Sequence, residues 1–277
     1  MFRRITPVAK NIIIINVVIL LLTWIMESFP MPRPLRGISI DELFALRVVF
    51  SSEFAPYQFI TYMWLHADYI HLFSNMIGVL IFGPMLEQVW GSKRFLIFYL
   101  VCGIGAGILY GTVDYIEKIP VKKDMEAYLN NPGPEAFEAF ILKHKNPYYF
   151  KTHELAKFSD SFFEDPDDEV LIYQAKGIVK FMYETLATKA SMVGASGAVF
   201  GILFAFAFLF PNTELYLLFL PIPIKAKYLV FFYGAFELFS EVTRAPDDNV
   251  AHLAHLGGML VAFIILKIWG RDSSRLY

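Results

Sequence analysis

Six separate apolar stretches, most near the length that crosses a lipid bilayer, constrain this chain more than any other feature. They run from about Ile12 to Met26, Phe59 to Leu86, Phe95 to Val113, Val193 to just before Pro211, Tyr228 to Val242 and Val250 to Trp269. About 20 helical residues cross the ~30 Å hydrocarbon core, and a helix satisfies its own backbone hydrogen bonds there. The fourth and fifth stretches are short for that task. Composition agrees: 56% of the 277 residues are hydrophobic and 18% are charged, against about 25% charged in a soluble domain. The expectation is an all-α membrane protein with a bundle of six transmembrane helices.

Lys and Arg near the span ends set the expected orientation. Arg3, Arg4 and Lys10 precede span one, and Lys93 and Arg94 follow span two. Lys225 and Lys227 follow span four, and Lys267, Arg271 and Arg275 close the chain. If every stretch crosses, all of these fall on one side, so both termini are expected in the cytoplasm, with a bacterial inner membrane as the host. Arg33, Arg36 and Arg47 are a smaller counter-signal on the outer side. The basic start and apolar run of span one also fit a signal peptide, but no small-residue cleavage site follows Met26, so it reads as a span.

Two outer segments divide the chain. Residues 1–113 hold spans one to three, with a Pro-rich outer loop over 30–56. Within that loop, apolar pieces such as Leu43-Phe44-Ala45-Leu46 suit a short interfacial helix. Residues 114–190 form a long polar insert, and residues 191–277 hold spans four to six. The insert is too long for a plain loop. It carries a Pro132-Gly133-Pro134 turn, an acidic run from Asp165 to Glu169 and an amphipathic pattern from Val170 to Lys189, and is expected to be a small helical domain outside the membrane.

No basic patch large enough to follow a phosphate backbone stands out, so no nucleic-acid partner is expected. No cofactor motif is present. Cys102, the single cysteine, has no partner for an internal disulfide and reads as a small buried hydrophobe.

Polar residues inside spans are costly and usually functional, and three clusters stand out. Gly194-Ala195-Ser196-Gly197 opens span four. Alone it leans toward a helix contact, since Gly197 and Gly201 form a GxxxG pair. His255 of Ala254-His255-Leu256-Gly257-Gly258 lies on or beside a small-residue face that Gly258 and Ala262 extend. Such a face brings helices close, and a desolvated histidine stays neutral, as a general base must be. His252, one turn earlier, is the rival. His71 and Asn75 share a face of span two at i,i+4. They read either as oxyanion donors or as hydrogen bonds that hold the bundle. All three clusters fall in the outer halves of their spans and can meet at one depth. No acidic residue in spans four or six is placed to orient His255, so a dyad is expected rather than a triad. A metal reading would use His66, His71, His252 and His255, but the HExxH pattern with a carboxylate partner is absent, so no metal is expected.

At this point the sequence resembles the rhomboid protease family. The resemblance covers spans two to six. It rests on Thr61 and His66 ahead of His71-xxx-Asn75, then Gly83-xxx-Glu87-xxx-Gly91-xx-Arg94-Phe95-Leu96, Gly194-x-Ser196-Gly197 and Ala254-His255-xx-Gly258. It implies a serine endopeptidase in which Ser196 attacks a backbone carbonyl and His255 accepts its proton. His71, Asn75 and the Ser196 backbone N–H would hold the oxyanion. Phe200 would stack on the histidine, and Glu87 and Arg94 would be structural at the inner face. It also implies transmembrane protein substrates reached from the lipid bilayer. Two features depart from the family. Tyr57-Gln58 stands where a Trp-Arg pair often ends the first outer loop, and the 114–190 insert replaces a short loop; it is expected to shape substrate access. The rival readings are an inactive relative that binds transmembrane helices and a transporter whose polar spans line a pathway. The absence of a repeated half weakens the transporter.

Overall fold

The computed structural model describes residues 5–28, 40–144, 153–187, 191–217, 220–243 and 250–270. Pro30, Pro32, Pro34 and several of the basic residues used above (Arg3, Arg4, Arg33, Arg36, Arg271 and Arg275) lie outside them. The described helices of four residues or more are α1 (Pro7–Ser28), α2 (Ile40–Phe44), α3 (Gln58–Thr61), α4 (Tyr69–Trp90), α5 (Ser92–Asn130) and α6 (Pro134–His144). They continue with α7 (His153–Glu164), α8 (Glu169–Ala187), α9 (Ser196–Leu209), α10 (Ala226–Val242) and α11 (His252–Trp269). One hairpin pairs β1 (Glu214–Leu217) with β2 (Leu220–Lys225), antiparallel, and leads into α10. Among the described residues, four helices, α1, α4, α5 and α11, are long and apolar enough to cross a membrane; α9 is apolar but has 14 residues. The fold is all-α and multi-pass.

Several boundaries differ from those expected. Span two begins as a helix only at Tyr69, because the Asp68 carboxylate accepts the His71 backbone N–H at 2.8 Å and caps α4 there. Ahead of it lie α3 and a single 3₁₀ turn, Tyr62–Trp64. Span three does not stop near Val113. It continues through Pro120 to Asn130, where Pro132-Gly133-Pro134 breaks it and Pro134 opens α6, a first-turn position that needs no backbone N–H.

The chain divides into two compact units. The first contains residues 1–46, 55–110 and 192–277. Its packing depends on small residues. A Cβ on Gly258 would overlap the Gly197 carbonyl, so α9 and α11 touch backbone to backbone. Ala262 is fully buried one turn further along α11, and Gly201 abuts both Cys102 and the Gly258 carbonyl. Glu87 anchors α1: its carboxylate accepts the otherwise unpaired N–H groups of Val8 and Ala9 at 3.1 and 3.0 Å and the Ser92 hydroxyl at 2.6 Å. Arg94 lies over the Trp269 ring at 5.8 Å. The residues around α3 are tied by hydrogen bonds to the end of α2. Tyr57 and Gln58 donate to the Leu43 carbonyl at 3.0 and 3.2 Å, and Thr61 donates to that of Phe44 at 2.7 Å. Tyr57-Gln58 thus ties α3 to α2. Large apolar side chains such as Ile14, Leu21, Trp24, Phe231 and Phe239 are exposed on this unit, as faces toward lipid require.

The second unit contains residues 47–54 and 111–191. Tyr128, Phe137, Phe140, Ile141, Phe162, Ala175, Val179 and Met182 form its core. Asp124 on α5 receives Lys143 and His144 of α6 at 2.7 and 2.6 Å. Asp168 caps α8 by accepting the Val170 N–H at 2.7 Å.

Candidate active site

Ser196 is the first residue of α9. The turn before it is set by Gly194, whose φ of +124° favours glycine. Space demands glycine as well, because a Cβ there would lie 2.7 Å from the His71 ring. The turn is tied to the 3₁₀ segment: Gly194 N–H donates to the Tyr62 carbonyl at 3.0 Å, and the Tyr62 hydroxyl donates to the Gly103 carbonyl at 2.7 Å. Tyr62 therefore positions the serine turn. An aromatic residue in an apolar run gave no hint of this in the sequence.

His255 Nε2 lies 2.9 Å from Ser196 Oγ, across the α9–α11 contact. Both residues are half-buried. The Phe200 ring, one turn after Ser196, stacks on the imidazole with centroids 4.1 Å apart and planes 5° apart. His252 does not face the serine. Its Nδ1 is 2.5 Å from Glu237 Oε2. Of the two histidines, His255 is the one in contact with Ser196.

His71 and Asn75 lie on the α4 face that meets Gly194. The position of a Gly194 Cβ is 2.7 Å from His71 Nε2 and 3.8 Å from Asn75 Nδ2. Asn75 is 5% exposed, and its Nδ2 has no hydrogen-bond partner among the described residues. A buried amide donor left unpaired beside a serine turn at a helix N-terminus can receive negative charge. His66 packs against His71 with ring centroids 5.0 Å apart.

Glu237 is the residue the sequence reading passed over. Spans four and six carry no acid placed to orient His255; this one comes from span five, on α10. It falls on one stripe with Ala226 and Val230, the buried residues of that helix. A carboxylate within an apolar span was the available signal; Glu241 follows one turn later, and Glu237 is the one that is buried. Its Oε2 is also 2.9 Å from His255 Nδ1. The angle there falls short of an aligned hydrogen bond, so the contact is chiefly electrostatic. Donor atoms of Glu237, His252 and His255 lie within 4.8 Å of one another, close enough to share a cation. The carboxylate between two imidazoles also accounts for the cluster as an ion-pair group.

A family model described as "Rhomboid domain" matches residues 53–118 and 168–271, more than half of the chain. The stretch between them, 119–167, belongs to the second unit. Among curated proteins, the chain is 28% identical to "RHOMBOID-like protein 12, mitochondrial" of Arabidopsis thaliana over 214 residues, 76% of this chain and 45% of that protein. It is 51% identical to "RHOMBOID-like protein 6, mitochondrial" of the same organism over 74 residues, 26% of this chain and 24% of that protein. It is 40% identical to "RHOMBOID-like protein 2" over 57 residues, 21% of this chain and 18% of that protein. The chain spans less than half the length of these curated relatives.

Proposed function

This chain belongs to the rhomboid family of integral, multi-pass membrane proteins, and from that premise we propose that it is an intramembrane serine endopeptidase. Family membership supports a protease-like function in general. The finer reading rests on one observation above all, the 2.9 Å contact between Ser196 Oγ and His255 Nε2. It joins a hydroxyl and an imidazole on two touching apolar helices.

In the proposed reaction Ser196 Oγ attacks a substrate carbonyl carbon, and its proton passes to His255 Nε2. The carbonyl oxygen becomes an oxyanion, stabilised by Asn75, His71 and the Ser196 backbone N–H. The imidazolium then gives its proton to the leaving amide nitrogen as the C–N bond breaks. Water attacks the acyl-enzyme, yields one proton to His255 and releases the new carboxyl end, and the proton returns to Ser196. Phe200 holds the imidazole plane throughout.

Six crossings complete this reading, with α9 and α10 as the two short ones and both termini on the cytoplasmic side of a bacterial inner membrane. Fourteen helical residues extend about 21 Å, less than the ~30 Å core, so the N-terminus of α9 lies below the membrane surface. The substrate is therefore a transmembrane segment that can expose a carbonyl at that depth, which favours small or helix-breaking residues near the cut. The residues of the insert, 114–190, govern which segments gain access. The test is cleavage of a single-span substrate co-reconstituted in liposomes, with the fragment ends mapped by mass spectrometry. A cut within or beside the span, lost in Ser196→Ala, supports the proposal. Binding of the span without any cleavage favours an inactive, helix-binding relative.

A further inference from the structure

Glu237 is 4% exposed. An ionised carboxylate in an apolar bundle is tolerated only when paired, and its described partners are two histidines of α11. His252 and His255 stand at i,i+3, so both rings turn toward α10. Helix α10 comes close at this point because Gly234, one turn before Glu237, packs against Met259. Much of the exposed surface of α10, including Phe231, Phe236 and Phe239, is apolar. Of its two acids, Glu237 and Glu241, Glu237 is the buried one and lies on the side that meets the histidines.

The two nitrogens of His255 face different groups. Nε2 faces Ser196 at 2.9 Å, and Nδ1 faces Glu237 Oε2 at 2.9 Å. When the Ser196 hydroxyl donates to Nε2, the ring proton must sit on Nδ1. The carboxylate oxygen is then within reach of that proton but off its line, while His252 Nδ1 holds the same oxygen at 2.5 Å. A single oxygen is shared between a resting partner and a reacting one.

Building on the Ser196–His255 reading, we propose that Glu237 is a positioning acid for His255: His252 holds it at rest, and it aligns on His255 Nδ1–H as Nε2 takes the serine proton. The proton stays on the ring and Glu237 remains a carboxylate throughout. Its roles are to select the Nδ1–H tautomer and to stabilise the imidazolium, and the second is strengthened by the low dielectric of the bundle. The hydroxyl and ionisable groups around His255 are Ser196 from α9, Glu237 from α10 and His252 on α11 itself, with His71 of α4 beside the serine turn at Gly194.

The test compares kcat and KM across pH for wild type, Glu237→Gln and Glu237→Asp, using the full-length protein in detergent and a single-span substrate. Glu237→Gln is expected to lower kcat at least about a hundredfold with KM nearly unchanged; the corresponding change in a soluble Ser-His-Asp triad costs about ten-thousandfold. The acid limb of the kcat profile should move to lower pH, because the imidazolium loses its anionic partner. Glu237→Asp should recover part of the rate and keep the wild-type limb. A kcat within about threefold of wild type in Glu237→Gln would overturn the proposal. So would a rate loss with an unmoved acid limb, the pattern of a purely structural role. If Glu237→Gln does not fold, Glu237→Met, an apolar side chain of similar length suited to the bundle, decides on the same two readouts: a reduced kcat with the acid limb moved to lower pH supports the proposal, and a wild-type kcat or an unmoved limb overturns it. Cleavage that needs Ser196 and His255 but not Glu237 removes this inference alone. A wild type that cleaves nothing removes the protease reading, and this inference with it.

Discussion

The Phe200 ring lies flat on the His255 imidazole, 4.1 Å away and within 5° of parallel. The proposed nucleophile, Ser196, and the ring that lies against its proposed base are thus on the same helix, one turn apart. Tilt of the imidazole about its χ2 bond would break the Ser196 contact, and the aromatic face opposes that tilt. Phe200→Leu keeps the apolar volume roughly constant but removes the flat face. The expected result is a fall in kcat of about tenfold to a hundredfold with KM unchanged, measured on a single-span substrate. A full wild-type kcat would show that the stack does not orient the base.

Asn75 carries a buried amide with no hydrogen-bond partner for Nδ2 among the described residues. A donor that is idle in the ground state and useful at the oxyanion contributes to kcat rather than to binding. Asn75→Ala is expected to lower kcat about 10²–10³-fold, with little change in KM or in thermal unfolding. A large drop in melting temperature with an unchanged kcat would assign Asn75 to holding the bundle.

The α9–α11 contact leaves no room for a side chain at Gly258, where a Cβ meets the Gly197 carbonyl. Gly258→Ala is expected to destabilise the protein by about 1–3 kcal/mol and to push Ser196 away from His255, so cleavage falls more than folding does. Thermal unfolding and kcat measured on the same preparation check this. Gly177→Ala, where a Cβ meets nothing within 4 Å, is the neutral comparison.

Much of this site was legible because its chemistry is confined to a few polar residues in apolar spans. Ser196, His255, His71 and Asn75 stood out by contrast with their surroundings, and the small residues Gly197, Gly258 and Ala262 indicated which helices touch. His255 was favoured over His252 by the glycine three residues after it and by its greater depth, and the geometry adds their partners: His255 meets Ser196 and His252 meets Glu237. Glu237 was visible as one of two acids in span five, with Glu241, yet its proposed role depends on how α10 leans on α11, and helical periodicity does not give that. Tyr62 was hidden because a tyrosine in an apolar run looks like packing until its hydroxyl and carbonyl are traced to Gly103 and Gly194. The length of α5 was misjudged for a related reason: Asp114 to Asn130 is polar enough to end a membrane span but not to end a helix.

The residues between the two family-matched stretches, 119–167, are expected to govern selectivity rather than chemistry. Replacing them with a short Gly/Ser linker should change which single-span substrates are cut, while serine-probe labelling persists. Unchanged rates and preferences across a substrate panel would assign this segment no part in access.

The central claim is that Ser196 is a nucleophile activated by His255. The most direct measurement is reaction of the purified protein with a fluorophosphonate probe, with the adduct mapped by mass spectrometry. The account predicts a single adduct on Ser196, absent in Ser196→Ala and at least about a hundredfold slower to form in His255→Ala. A wild type that stays unlabelled while folded, or labelling that persists in Ser196→Ala, would contradict it.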